Sequence, residues 1–292
     1  MSGITFLGLG SMGSVLAREL SKTNQVTAWN RTASRPGVKV ATDAGATFEP
    51  DAATAIAKNN ILIINLLNYK VTNDVLALLP PDGLAGKTVL NFTNGTPKDA
   101  SDMEAKVRGL GATVYLDGAI MVVPSAIGTP DAMFIVSGSQ EALSSVSSIL
   151  AAFGTERYLG PEIGAAARWD NAGLVQMYGM MAGMVIGLSI LKKGSPDGKI
   201  GGAIEGMVPF LQALVPLIGM IAARWDAGEF EENDGHPMSM LVEGVECIKR
   251  TCEESGVDFG TMEAFLAKMK EAEAVYGSFS ALAALGPLHL KN

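Results

Sequence analysis

Cysteine is almost missing from this sequence: Cys247 and Cys252 are the only two in 292 residues. Five apart on a predicted helix, they neither face each other well nor match a metal-binding spacing, so structural zinc is excluded and a reducing compartment is implied. Histidine is equally scarce, and His236 and His289 are too isolated for a Cys/His or Ser/His nucleophile. Basic clusters are absent as well. With 22 Lys and Arg against 30 Asp and Glu the net charge is −8, which argues against a nucleic-acid partner, whose phosphates are bound by clustered cations. Charge of any sign is sparse at 18%, against 48% hydrophobic residues, which excludes disorder and points to large buried surfaces, a subunit interface among them. No basic leader precedes the apolar strand that begins at Ile4, so a cytoplasmic protein is expected.

Uncharged runs are the exception, and there is one. Ala172 to Leu191 carries no charge and is about long enough to span a bilayer. Gln176 and Tyr178 interrupt it, and Gly179, Gly183 and Gly187 recur every fourth residue, a pattern that lets helices pack closely. A lone span in the middle of a cofactor-binding enzyme would split its site. The expectation is therefore a buried interdomain helix and no membrane.

What the sequence does contain divides it in two. Strand candidates at Ile4–Leu7, Gln25–Trp29, Ile61–Leu66, Thr88–Asn91, Thr113–Leu116 and Met133–Ser137 alternate with helix candidates at Met12–Leu20, Ala52–Ala57, Val71–Leu79 and Lys98–Leu110. That alternation predicts a parallel α/β sheet with helices on both faces. After Gly160 the strand signals stop, and helical periodicity runs over about Ile163–Lys192, Ala203–Arg224, Ser239–Glu254 and Thr261–Tyr276. Connections fall at Gly194–Gly202 and Asp226–Pro237. The expected plan is a Rossmann domain over 1–160, a long interdomain helix over 161–193 and an all-α substrate and dimerisation domain over 194–292.

Gly8, Gly10 and Gly13 form GxGxxG directly after a strand and before a helix. Gly8 allows the turn, Gly10 lets the backbone approach a pyrophosphate, and Gly13 lets helix and strand pack closely. Ser11 and Met12 lie between them and join the cofactor-binding set. Where NAD enzymes usually place an acid at the end of the second strand, this chain has Asn30, Arg31 and Thr32, with Arg35 nearby. Arg31 suits a 2′-phosphate, Asn30 and Thr32 offer hydrogen bonds, and Arg35 adds a second cation. NADPH is the expected cofactor.

The segment Gly164 to Asn171 and the block from Asp117 to Gly138 resemble the β-hydroxyacid dehydrogenase superfamily across the whole chain. Two features of its dehydrogenases are missing. No lysine lies between Arg108 and Lys192, and Arg168 falls at the catalytic lysine's place in the simplest register. A guanidinium does not exchange protons near neutrality. Met121-Val122-Val123 replaces the Ser-Gly-Gly turn that binds a carboxylate. The strings GLGSMG, WNRT, NFTNGTP, LDGAIM, PSAIGTP and AARWDNAGLVQMYG are instead similar to imine reductases and reductive aminases.

That resemblance implies an NADPH-dependent oxidoreductase acting on C=N bonds, with Asp170 as proton-transfer residue, Tyr178 orienting the nitrogen or relaying the proton, and Asn94 bonding a carbonyl or carbinolamine oxygen. Along a helix Asp170 and Tyr178 stand about 12 Å apart and roughly 80° around the axis. Phe210, Met240, Leu241 and Met121 are the implied substrate-pocket residues. Phe210 takes the place of a family tryptophan, and Leu241 stands where reductive aminases often have glutamine, so the pocket is more apolar there. The implied partners are a small hydrophobic imine, or a ketone with an amine, and a second copy of the chain in a domain-swapped homodimer. Two rival readings remain at this point: a reductase of small hydroxy or oxo acids, and a non-catalytic NADPH-binding protein.

Overall fold

A computed structural model describes residues 3–232 and 235–290. Strands β1 (Gly3–Leu7), β2 (Gln25–Trp29), β3 (Thr47–Phe48), β4 (Ile61–Ile64), β5 (Thr88–Asn91), β6 (Val114–Ile120), β7 (Met133–Gly138) and β8 (Thr155–Tyr158) form one sheet in the order β3-β2-β1-β4-β5-β6-β7-β8. Its first six strands are parallel, with the order reversing between β1 and β4, the doubly wound arrangement that opens a crevice at the strands' carboxyl ends. The sheet is not wholly parallel as the strand and helix alternation predicted. β7 runs antiparallel to β6, because the 12 residues between them form a short surface connection and not a crossover helix; β8 then pairs parallel to β7.

Alternation along each strand sends side chains into two cores. Ile4 and Phe6 of β1 pack with α1 (Ser11–Ser21), α2 (Pro36–Asp43) and α6 (Gln140–Leu150). Leu7 of β1 and Leu62 and Ile64 of β4 face α3 (Ala52–Ala57), α4 (Tyr69–Leu76) and α5 (Pro97–Gly109). Burying both faces is what such near-continuous apolar strands require. Helix starts are chemically marked. Thr96 and Asp99 form a reciprocal capping box with Pro97 in the first turn of α5, while Asn68 caps α4 at the backbone N–H of Val71.

The chain separates into two compact units, Met1–Val175 and Gln176–Asn292, and the division falls inside the long helix α7 (Ala165–Gly194). The second unit continues with α8 (Gly201–Leu214), α9 (Leu217–Ala227), α10 (Met238–Ser255), α11 (Gly260–Tyr276) and α12 (Leu285–His289). Its core gathers Ile186 of α7 with Met238, Val242 and Cys252 of α10 and Leu266 and Met269 of α11. The single helix expected over Ala203–Arg224 is two, because Pro216 lacks the N–H that would continue the ladder.

The buried interdomain helix is also corrected. Val175, Met180 and Val185 of α7 are 70%, 55% and 62% exposed, and among the described residues neither α8 nor α9 has a fully buried one. By length and composition α7 and the stretch Gly201–Ala227 are apolar enough to cross a membrane.

Candidate active site

The carboxyl ends of β1, β2 and β4 enclose a cleft of about 310 Å³, and of the residues predicted to hold a dinucleotide all but Gly13 line it. The backbone there is built for close approach. Gly8 has φ +101°, and a Cβ on it would lie 2.2 Å from the Asn65 carbonyl oxygen; one on Gly13 would lie 2.0 Å from the Gly8 carbonyl oxygen. A Cβ on Gly10 would meet nothing within 4 Å, leaving its face open to a ligand. Arg31, Thr32 and Arg35 are exposed. Asn30 is tied into the loop itself: its Oδ1 accepts from the Leu9 N–H at 3.0 Å and its amide donates to the Thr32 carbonyl at 2.8 Å. A glycine cradle with two free-standing arginines at its adenosine end fits a phosphorylated dinucleotide.

At the carboxyl end of β5 the loop 92–96 meets the first turns of α7. The Asn94 amide donates to Asp170 Oδ2 at 2.5 Å, and the Asn171 amide donates to the Gly95 carbonyl at 2.8 Å. Asp170 is 5% exposed, whereas Asn94 stands on the solvent side. Burial pushes the Asp170 carboxyl above its ordinary range, with the Asn94 hydrogen bond opposing it. A carboxyl so placed holds its proton closer to neutral pH than a surface acid does, which suits proton exchange. Arg168, two residues earlier, points elsewhere and pairs with Glu162 on the surface at 2.5 Å.

Three polar side chains that were not singled out from the sequence lie just behind this loop. Asp117, in the middle of β6 and 1% exposed, accepts from the Tyr69 hydroxyl at 2.7 Å and the Tyr115 hydroxyl at 3.3 Å. A lone acid inside an apolar strand (VYLDGAI) is the signal that marks it.

Of the remaining predicted residues, Met121 is half-buried against the cluster of Ala119, Ile135 and Ala166. Tyr178, Phe210 and Met240 belong to the second unit and are 62%, 61% and 48% exposed. Leu241 of that unit lines a mostly apolar cavity of about 380 Å³ with Leu214, Leu217 and Met220.

Residues 3–163 match the model of the NAD binding domain of 6-phosphogluconate dehydrogenase, and residues 162–282 that of the NADPH-dependent reductive aminase-like C-terminal domain. The chain is 35% identical over 259 residues to an NADPH-dependent reductive aminase of Aspergillus oryzae, covering 87% of this chain and 85% of that one. The chain belongs to the reductive aminase family. Among solved structures it is similar to the reductive aminase of Aspergillus terreus in complex with NADPH4, cyclohexanone and allyl amine (30% identity, TM-score 0.91, 99% of each chain). It is also similar to an imine reductase from Pseudomonas sp. (26%, 0.88, 98% of each chain). As a member of this family the protein is an NADPH-dependent oxidoreductase, and the hydroxyacid and non-catalytic readings give way.

Proposed function

We propose that this reductive aminase family member reduces the C=N bond of a small, mostly hydrophobic imine, supplied as such or formed from a ketone and an amine, to a secondary or tertiary amine. The observation that carries the reading is the buried Asp170 carboxyl held by Asn94 at 2.5 Å, with no cation in an ion pair with it among the described residues. When bound, NADPH supplies the hydride that adds to the imine carbon. Asp170 supplies the proton at nitrogen, or takes one from an incoming amine, and its negative form offsets the charge of an iminium. Asn94 orients that carboxyl and its own carbonyl stays available to a carbinolamine hydroxyl. Tyr178, eight residues along α7, orients the nitrogen or relays the proton. Phe210, Met240, Leu241 and Met121 supply the apolar walls.

Cofactor holding falls to Gly8, Gly10, Ser11 and Met12 at the pyrophosphate, with Gly13 packing the helix against the turn, and to Arg31, Thr32 and Arg35 at the 2′-phosphate, with Asn30 shaping that loop. The exposed apolar faces of α7, α8 and α9 support a homodimer, with elements exchanged between protomers, over a lipid partner: Gln176, Tyr178 and Glu205 punctuate them with groups that lipid would leave unsolvated. The test is NADPH consumption with a preformed cyclic imine, and in parallel with cyclohexanone plus a small amine, for wild type and Asp170→Ala. Turnover by wild type that collapses in the variant is the expected result. No turnover of either substrate set, with NADPH still bound, would sink the reading.

A further inference from the structure

Asn94 has two chain neighbours, and each is fixed by a route that begins at Asp117. One route runs through Tyr115, whose hydroxyl donates to Asp117 at 3.3 Å and accepts from the Asn91 amide at 3.1 Å; the Asn91 oxygen then accepts from the Thr93 backbone N–H at 3.1 Å. The other runs through Tyr69, whose hydroxyl donates to Asp117 at 2.7 Å and whose ring lies against Gly95 so closely that a Cβ there would be 2.3 Å from Tyr69 Cε2. Asp117, Asn91, Thr93 and Tyr69 are all buried, so this frame is dry and stiff.

We propose that Asp117 is a positioning residue for imine reduction: its carboxyl clamps both neighbours of Asn94 so that the amide meets Asp170. This rests on the assignment of proton transfer to Asp170. A buried carboxyl without a cation is costly to keep, and an apolar residue would cost less if packing were its only task. The groups that face Asp117 are Tyr69 from α4, Asn91 from β5, Tyr115 from its own strand and Asp170 from α7; Ser137, its partner on β7, turns its hydroxyl to the Ile163 carbonyl, and Asp99 of α5 acts on Tyr69. The charges among them are negative. Burial moves the Asp117 carboxyl up to about 7, against the pull of the Tyr69, Tyr115 and Asn91 hydrogen bonds and with a push from Asp170. The push runs from Asp170 onto Asp117; burial and the Asn94 hydrogen bond are what act on Asp170.

The experiment compares wild type, Asp117→Asn, Tyr69→Phe and Asp170→Asn by pH profiles of kcat and kcat/KM on a cyclic imine, by NADPH binding, and by infrared titration of carboxylic-acid carbonyl bands. Asp117→Asn keeps an acceptor oxygen for the Tyr69 and Tyr115 hydroxyls, so NADPH binding and most of kcat are retained, while a carbonyl band that bleaches near neutrality in wild type disappears. Tyr69→Phe loosens one side of the clamp and lowers kcat by roughly tenfold or more, with the NADPH affinity kept within about twofold. A full kcat in Tyr69→Phe, or a kcat in Asp117→Asn that falls further than in Tyr69→Phe, would overturn the proposal. Should Asp117→Asn fail to fold, Tyr69→Phe decides it: an unchanged kcat overturns it. Loss of turnover in Asp170→Asn alone leaves the assignment of Asp170 standing while this proposal falls; retained turnover in Asp170→Asn fells both.

Discussion

Single side chains decide the cofactor and the acid. Arg31 is exposed at the end of β2 with no acidic partner among the described residues, and the proposed charge-assisted pair to a 2′-phosphate is worth a few kcal/mol. Arg31→Ala is expected to weaken NADPH binding by about 10- to 100-fold while leaving NADH binding nearly unchanged, measured by fluorescence titration with both cofactors. Asp117 makes a separate statement about stability. Its folded carboxyl is raised from 3.8 to about 7, so between those values the folded state keeps a proton that the unfolded chain has released. That contribution is complete at acid pH and is lost as pH rises through about 7. Asp117→Asn cannot titrate, so its melting temperature relative to wild type is expected to rise from about pH 5 to about pH 8. A difference that is flat or falls across that window would contradict the assignment.

At the level of elements, the loop after β5 is where packing and chemistry meet, because Gly95 rests on the Tyr69 ring. Gly95→Ala forces a methyl group to within 2.3 Å of ring carbon, so loop or ring must move. The expected cost is about 1–3 kcal/mol of stability, with a loss of kcat, both read from denaturant unfolding and steady-state rates. This region also shows what could be read in advance. The glycine motif was legible because each glycine has a local reason, a turn or a close approach, that follows from its neighbours in sequence. Helix α2 was not: Gly37 and two β-branched valines are poor helix formers, and the helix exists because Val38 and Ala41 pack into the core beside α1. In α6 four serines concealed a sound apolar period at Ala142, Leu143, Val146, Ile149 and Leu150. Asn94 and Asp170 were each named only through family resemblance and their hydrogen bond was not foreseen, since 76 residues separate them, and Tyr69 and Asp117 lie 48 apart. Such meetings are made by sheet order, which no local pattern encodes. Strand β7 illustrates the same limit, for its apolar run looks alike whichever way it points.

For the whole molecule, the two units differ in how they are held. The first buries both faces of its sheet between helices, whereas the second leaves α8 and α9 without a buried residue and much of α7 uncovered. The proposed homodimer predicts that Val185→Glu on that open face of α7 leaves a monomer in sedimentation velocity where the unaltered chain sediments as a dimer, with the sheet unit still folded by circular dichroism. A wild type that sediments as a monomer would refute the dimer. The uncovered faces also carry a consequence in mass action. If assembly covers them, folding and association share one equilibrium, and the melting temperature is expected to climb by several degrees between about 1 μM and about 100 μM protein. Dilution then competes with heat as a denaturant, and the concentration at which the protein is kept becomes one of the variables that set whether it is active.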